Sequence, residues 1–300
     1  MFVLDPDIYC LPSYRITPFS TQDVTVNANL PLSDEVDRYF TQRFDGNRFL
    51  YTENGRKAIE IALSHYGLSK TDVVTILTTT GNFYISGCVT KEIEKICNWS
   101  RTIEPNTKLL FLNHEFGQPY PDLESLKKLG LPIIEDCAHS FFPEEQMGHV
   151  GDFVIYSFPK AFPIQIGGLL QINLSHTAIT YRLESERERY IKNVLSHYIG
   201  DEHRLRELRL KNYHYLRAEF QKIGLQTRFE LAANSWPGVF MFCVNDVRID
   251  LDRLKIHFNN HGIQSSVFYG ERVYFIPCHH KLTKTDLDYF VAVMQHFLAQ

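Results

Sequence analysis

Between Val73 and Ile172 short apolar runs alternate with polar stretches of helical character. The runs VVTIL, KLLFLNH, LPIIED, FVIYSF and GGLLQI read as strands. Between two of them, DLESLKKLG reads as a helix that ends on a glycine suited to a C-cap. Continuously apolar strands that alternate with helices indicate a mostly parallel sheet covered on both faces. Upstream, SDEVDRYFTQRF predicts a helix, and NGRKAIEIALSHYGL predicts a second with Ile59, Ala62, Leu63 and Tyr66 at helical spacing. From Tyr181 to Leu225 the pattern is charged and helical, which predicts a solvated face connecting two parts of the chain. After about Gly238, VFMFCV, RIDLDRLKIHFNNHG, VYFIP and KTDLDYFVAVMQHFL alternate as strand, helix, strand and helix, a compact α+β unit. The expected division is a large domain over 1–180 and a small C-terminal domain with connecting helices over 181–300.

Composition narrows the classes. With 300 residues, 44% hydrophobic and 22% charged, the chain has the make-up of an ordinary globular protein. A formal charge of −4 carries no polybasic signature, so neither nucleic acid nor an anionic membrane is an expected partner. No apolar run approaches the roughly 18 residues that a membrane span needs. The opening MFVLDPDIYC lacks the basic region of a signal peptide, and the six cysteines have no CxxC spacing; reduced thiols in a cytoplasmic protein are expected. Cys278, His279 and His280 adjoin, but no second ligand cluster answers them, and no metal is expected.

In an open parallel sheet, ligands bind outside the carboxyl ends of the strands. Those ends carry His114, Glu135 with Asp136, and Ser157 followed closely by Lys160; TTTGNF after VVTIL brings Phe83 to the same edge. Lys160 is the single lysine between Val150 and Ile191. Apolar surroundings disfavour an ammonium ion and make the neutral, nucleophilic amine available. Asn54–Gly55–Arg56, at the start of an amphipathic helix, offers unpaired backbone N–H groups and a guanidinium to an anion. A lysine, an acid, an aromatic and a helix N-terminus together match the needs of pyridoxal 5'-phosphate (PLP).

Three segments resemble the DegT/DnrJ/EryC1/StrS family of PLP-dependent sugar aminotransferases. They are NHEFGQPYPDLESLKKLGLPIIEDCAHSFF (Asn113–Phe142), GDFVIYSFPKAFPIQIGGLL (Gly151–Leu170) and FIPCHHKLTKTDLDYFVAVMQHFL (Phe275–Leu298). NGRKAIEIAL is similar to the family's phosphate-binding helix start. The resemblance implies a shortened member with a fold-type I PLP-transferase-like architecture: an α/β fold whose mostly parallel central sheet has helices on both faces, plus a small C-terminal α+β domain. It implies that Lys160 bonds the cofactor and that Asp136 pairs with its ring nitrogen. It places His139 near the phenolic oxygen, Ser157, Gly55 and Arg56 at the phosphate, and Phe83 over the ring. The chain departs from the family in having two residues fewer between Ser157–Phe158 and the lysine, in Arg56 where a small hydroxyl residue is usual, and in lacking an NYRM-like segment after Ile172. In relatives that segment lends an asparagine across a dimer interface, a place Asn193 or Asn212 would have to fill.

The implied activity is transfer of an amino group, from glutamate, to a keto group of a nucleotide-linked deoxysugar of polysaccharide biosynthesis, by a cytoplasmic homodimer. Two alternatives stand beside it. One is a non-catalytic or altered-activity relative acting as a binding or assembly partner. The other is a PLP-dependent keto-sugar dehydratase, whose relatives carry histidine where this chain keeps Lys160.

Overall fold

The computed structural model describes residues 13–46, 48–141, 147–175, 178–231 and 235–300. Cys10 and Phe142, read above from the sequence, lie outside them. Two compact units emerge, Phe19–Asp201 and a second one made of Glu202–Gln300 with residues 13–18.

The first unit begins with α1 (Gln22–Ala28) and α2 (Glu35–Arg43). There follow β1 (Arg48–Thr52), α3 (Gly55–Ser64), β2 (Val73–Thr78), α4 (Gly87–Glu94), β3 (Asn98–Ser100) and β4 (Thr107–Asn113). The chain continues through α5 (Leu123–Lys127), β5 (Ile133–Asp136), β6 (Phe153–Ser157), the single-turn α6 (Phe158–Ala161), β7 (Gly168–Ile172) and α7 (Ser185–Ile199). The strands form one seven-stranded sheet in the order β1-β7-β6-β5-β4-β2-β3. Only β7 runs against its neighbours; β6, β5, β4, β2 and β3 pair in parallel. The mostly parallel sheet expected from the apolar runs is therefore present.

Side chains alternate across a pleated strand, and the two faces of this sheet show it. Leu109, Phe111, Ile134, Phe153 and Ile155 point to one face, where they pack with Ala58, Ile59, Ala62 and Leu63 of α3 and Val89 and Ile93 of α4. Leu110, Leu112 and Ile133 point to the other, against Leu123 and Leu126 of α5. At about 25 cal/mol per Å² of apolar surface removed from water, these two layers are the main force holding the sheet in place.

The expected division at 180/181 differs from the observed one, because α7 is tied to the start of its own unit. Asn193 Oδ1 accepts from the Ser33 N–H at 3.0 Å, Ser196 Oγ accepts from the Val36 N–H at 3.1 Å, and Asn27 Nδ2 donates to the Tyr190 hydroxyl at 3.3 Å.

The second unit comprises α8 (Glu202–Lys222), β8 (Gln226–Thr227), β9 (Val239–Cys243), α9 (Leu251–Asn260), β10 (Ser266–Phe268), β11 (Val273–Pro277) and α10 (Lys284–Leu298). Its four strands form an antiparallel sheet in the order β10-β11-β9-β8. Tyr213, Leu216 and Phe220 of α8 pack in its core with Phe240 and Phe242, Tyr274 and Ile276, Leu254 and Phe258, and Phe290 and Met294. Tyr14 joins this unit through a parallel bridge to Ile263 and edge contact with the Phe290 ring.

The solvated face expected from the charges of α8 is only part of that helix. Leu205, Arg209, Asn212, Tyr213, Leu216 and Phe220 follow helical spacing and are buried, so Arg209 occupies a core position. Its guanidinium stacks over the Trp236 ring at 4.8 Å, and Nη1 donates to the Pro237 carbonyl at 3.1 Å. Among the described residues, no helix is long and apolar enough to cross a membrane.

Candidate active site

The same pleat sorts the polar residues at the carboxyl ends of β4, β5 and β6. Asn113, Asp136 and Ser157 continue the face that carries Phe111, Ile134 and Ile155, whereas Glu135 shares the face of Ile133. The rim expected to hold Glu135, Asp136 and His114 together is thus split by the sheet.

On the α5 side, His114 Nε2 lies 3.0 Å from Glu135 Oε2, and both side chains are fully buried. His114 Nδ1 accepts the Tyr120 N–H at 3.1 Å, which assigns the imidazole proton to Nε2. Glu135 also accepts from the N–H groups of Gly148, Val150 and Gly151 at 2.8, 2.7 and 2.6 Å. Burial pushes this carboxyl up, but His114 and the backbone donors outweigh it and hold it below the ordinary value. Glu135 and His114 therefore fasten the Gly148–Gly151 turn beneath the sheet. Cys137 lies within 4.8 Å of both, but donors already occupy the carboxylate, which argues against a metal there.

On the α3 side, Asp136 is the last residue of β5 and only 5% exposed. Asn113 Nδ2 donates to its Oδ2 at 3.0 Å, and the Ala138 N–H donates to its Oδ1 at 3.0 Å. Burial pushes the carboxyl up, while Ala138, Asn113, His114 and Lys160 oppose the rise without cancelling it. Lys160 stands in α6, half-buried. Burial holds its ammonium below the ordinary lysine value, and Asp136 and then Cys88 pull it partly back. The two groups therefore interact electrostatically across the strand ends, each displaced toward its neutral form by burial.

The start of α3 faces Ser157. Asn54 caps the helix, its Oδ1 accepting from the Lys57 N–H at 3.0 Å and its carbonyl from the Ala58 N–H at 3.3 Å. The N–H groups of Gly55 and Arg56 have no such partner among the described residues. A Cβ on Gly55 would stand 3.6 Å from Ser157 Cβ and 3.9 Å from its Oγ, so the glycine leaves open the space between hydroxyl and helix start. This proximity holds although the segment from Ser157 to Lys160 is short, because α6 begins directly where β6 ends. Gly167, at φ +108°, adopts the left-handed region that favours glycine, and its N–H donates to the Glu53 carbonyl at 2.6 Å. Arg56 is exposed.

Phe83 is 66% exposed, with the Arg101 guanidinium 5.8 Å from its ring centroid. Arg101 Nη2 also donates to Thr78 Oγ1 at 3.0 Å and to the Asn82 carbonyl at 2.6 Å, which fastens the loop that carries Phe83. His139 packs its ring 4.8 Å from that of Phe116, and Tyr84 stacks on Phe116 at 6.1 Å. Phe116 holds a left-handed backbone, φ 48° and ψ 33°, at a cost of about 1–3 kcal/mol for a non-glycine residue.

Asn113, Cys88, Arg101 and Phe116 were not singled out from the sequence. Asn113 was legible in principle: it ends β4 as Asp136 ends β5, and the two pair in register. The others depend on contacts between elements distant in sequence. Of the two asparagines considered for a cross-subunit contact, Asn193 serves Ser33, and Asn212 is buried with its amide donating to the carbonyls of His279 and Leu282 at 2.9 and 3.1 Å. Asn212 is thereby committed to the core of its own unit.

Residues 95–208, which include Asp136, Ser157 and Lys160, match the sequence model of the DegT/DnrJ/EryC1/StrS aminotransferase family. The resemblance carried by the motifs is borne out. No curated protein matches the chain. Among solved structures, the chain is similar to the aminotransferase TlmJ from Streptoalloteichus hindustanus, at 14% identity and a TM-score of 0.71, over 93% of this chain and 94% of that one. It is also similar to a DegT DnrJ EryC1 StrS aminotransferase from Brucella abortus, at 16% identity and a TM-score of 0.67, with the same coverage. NtdA from Bacillus subtilis, solved with bound cofactor PMP, aligns at 15% identity and a TM-score of 0.68, over 99% of this chain and 88% of that one. The fold-type I expectation is borne out, and PLP chemistry is what the family matched over residues 95–208 implies.

Proposed function

We propose that this protein is a PLP-dependent aminotransferase that moves an amino group from an amino-acid donor, glutamate, to a keto group of a nucleotide-linked deoxysugar. The observation that carries the reading is the Asp136–Lys160 pair: Asp136 ends β5, Lys160 stands in α6 directly after the neighbouring strand β6, and the two interact electrostatically while burial raises the carboxyl and lowers the ammonium. The cofactor, when bound, supplies a carbonyl for the amino group and a ring that withdraws electrons from the substrate carbon.

The residues present fit that group. The N–H groups of Gly55 and Arg56 and the Ser157 hydroxyl would hold its phosphate, aided by the positive end of α3. Asp136, oriented by Asn113 and Ala138, would hold a proton on the ring nitrogen. Phe83 would cover the ring and exclude water, and His139 would sit near the phenolic oxygen. Lys160 Nζ, its proton affinity lowered by burial, would take a proton from the substrate carbon and return it. The reading extends to a cytoplasmic homodimer, as the family resemblance implies. The retained Lys160 supports transamination over dehydration.

The test is an absorption spectrum with and without added PLP, followed by a half-reaction with glutamate. Wild type should colour with PLP and bleach toward the amino form with glutamate, and Lys160→Ala should do neither. Protein that stays colourless would favour the non-catalytic alternative, and Lys160→Ala retaining both responses would sink the assignment.

A further inference from the structure

Phe83 stands on the loop of residues 79–86 between β2 and α4, and its ring is so exposed that burial does little to hold it. The backbone around it is held instead. Arg101 Nη2, Thr78 Oγ1 and the Asn82 carbonyl form a closed triangle. The guanidinium donates to the hydroxyl at 3.0 Å and to the carbonyl at 2.6 Å, and the hydroxyl donates to the same carbonyl at 2.9 Å. That carbonyl belongs to the planar peptide unit joining Asn82 to Phe83, so fixing it fixes the plane from which the Phe83 Cα departs. Asn82 Oδ1 accepts the Tyr84 N–H at 2.6 Å, which pins the chain beyond the ring as well. The ring itself lies with its centroid 5.8 Å from the same guanidinium. We infer that Arg101 is a positioning residue for the cofactor site, gripping Phe83 by backbone and ring so that the aromatic stands in place before PLP arrives. The inference rests on the PLP reading above and deepens it.

The fold puts Arg101 where this grip is possible. It follows β3 directly, and β3 pairs in parallel with β2, Thr75 beside Ser100, so the side chain reaches along β2 to Thr78 at its end. Arg101 is half-buried, and burial holds its guanidinium below the ordinary value, an effect Glu115 partly offsets. Taking a cation out of water is costly, and here its hydrogen bonds go to the loop that carries an exposed ring. The other flank of that loop is fastened from beyond β4. Glu115 Oε2 accepts from the Thr80 N–H and hydroxyl at 3.2 and 2.8 Å, and the Glu115 N–H donates to Thr79 Oγ1 at 3.0 Å. The loop is therefore anchored from the sides of both neighbours of β2. Glu115 holds its entry, and Arg101 holds the part that carries the ring. A ring already in place loses less conformational freedom when a ligand docks on it, which strengthens binding.

The experiment joins amide hydrogen exchange of the PLP-free full chain to PLP titration of wild type, Arg101→Met, Phe83→Ala and the double variant. Methionine keeps an apolar stem in the place of the arginine and removes its charge and donors. Arg101→Met should speed exchange of the Tyr84 and Gly81 amides, which bond within the loop, about tenfold or more, while the amides of β6 keep their wild-type rates. It should weaken PLP binding severalfold in the wild-type background and by less than about twofold beside Phe83→Ala, because the effect passes through that ring. Should Arg101→Met not fold, Thr78→Val, which removes the hydroxyl corner of the triangle, takes its place with the same expectation. Unchanged loop exchange would overturn the grip, and an equal loss of PLP affinity with and without Phe83 would overturn the route through the ring. The exchange rates need no PLP, so a failure of the PLP reading, seen as wild type that takes up none, is separable from a failure of the grip.

Discussion

Gly168 at the head of β7 presses its backbone against the start of α3: a Cβ on it would lie 2.9 Å from the Gly55 nitrogen and 2.7 Å from the Asn54 carbonyl carbon. Gly168 also pairs with Thr52 on one side and Ser157 on the other. One hydrogen in place of a side chain thus allows β1, β6 and the helix start to close on a single point. Gly168→Ala should cost about 1–3 kcal/mol of stability, the range for overpacking. The displaced helix start should also weaken PLP binding. Urea denaturation and PLP titration measure the two, and an alanine variant unchanged in both would refute the close-packing argument.

Lys160 should be unusually reactive as an amine. Burial lowers its proton affinity and Asp136 partly restores it, so its acylation rate should reach half-maximum below pH 10.5, before the surface lysines. Removing the negative charge takes away the restoring effect. Asp136→Asn should therefore move the Lys160 midpoint lower still. Competitive labelling with mass-spectrometric readout checks both; a midpoint at or above 10.5 would contradict the depressed amine.

The Asn113 amide favours the charged form of Asp136 and opposes part of the rise that burial causes, so Asn113→Ala should raise that carboxyl further. A hydrogen bond to a charged group is worth about 1.5–3 kcal/mol, or roughly tenfold or more in PLP affinity. The deficit relative to wild type should widen as pH falls, because the variant's Asp136 protonates first. PLP titrations at acid and neutral pH decide this, and a pH-independent deficit would point to simple loss of packing.

Phe83 should matter to the cofactor and not to the fold. It is 66% exposed, and its recorded contact is the Arg101 cation–π pair, worth about 0.5–1 kcal/mol at an exposed site. Phe83→Ala should shift stability by no more than about this amount, yet weaken PLP binding severalfold by uncovering the ring. Equal PLP affinity in both proteins would remove Phe83 from the site.

His279 sets part of the acid limit of the second unit. Burial pushes it down to about 3, with Arg209 adding repulsion, and its Nε2 lies 3.1 Å from the Arg15 carbonyl oxygen. The unfolded chain takes up the imidazole proton near pH 6.5, where the folded one does not, so stability present above 6.5 is lost as pH falls toward about 3. His279→Gln, which can keep a donor toward Arg15, should flatten that slope between pH 7 and 5. Urea midpoints at the two pH values give the slope; an unchanged slope would show that other groups dominate.

The apolar runs and helical periodicities were sufficient to read a mostly parallel sheet and most of its helices, since burying both faces of a strand demands continuous apolar residues. They did not reveal β1, whose RFLYT is burdened by an arginine, or the three-residue β3 and β10, too short to carry a period. Lys160, Asp136, Ser157, Gly55 and Phe83 were legible as candidates because strand ends and helix starts are where a parallel sheet leaves polar groups to meet a ligand. That reading placed His114 and Glu135 on the same rim as Asp136, and only the pleat separated them.

By itself, then, the chain's pattern determined which residues reach the sheet's edge, because strand length and polarity are local properties. The tertiary structure alone decided which face each one takes, which donor meets which acceptor, and how far burial shifts Lys160 and Asp136. It also returned α7 to the unit that begins at Phe19. Those outcomes depend on register and on packing between segments far apart in sequence, and desolvation is felt only once the neighbours are in place.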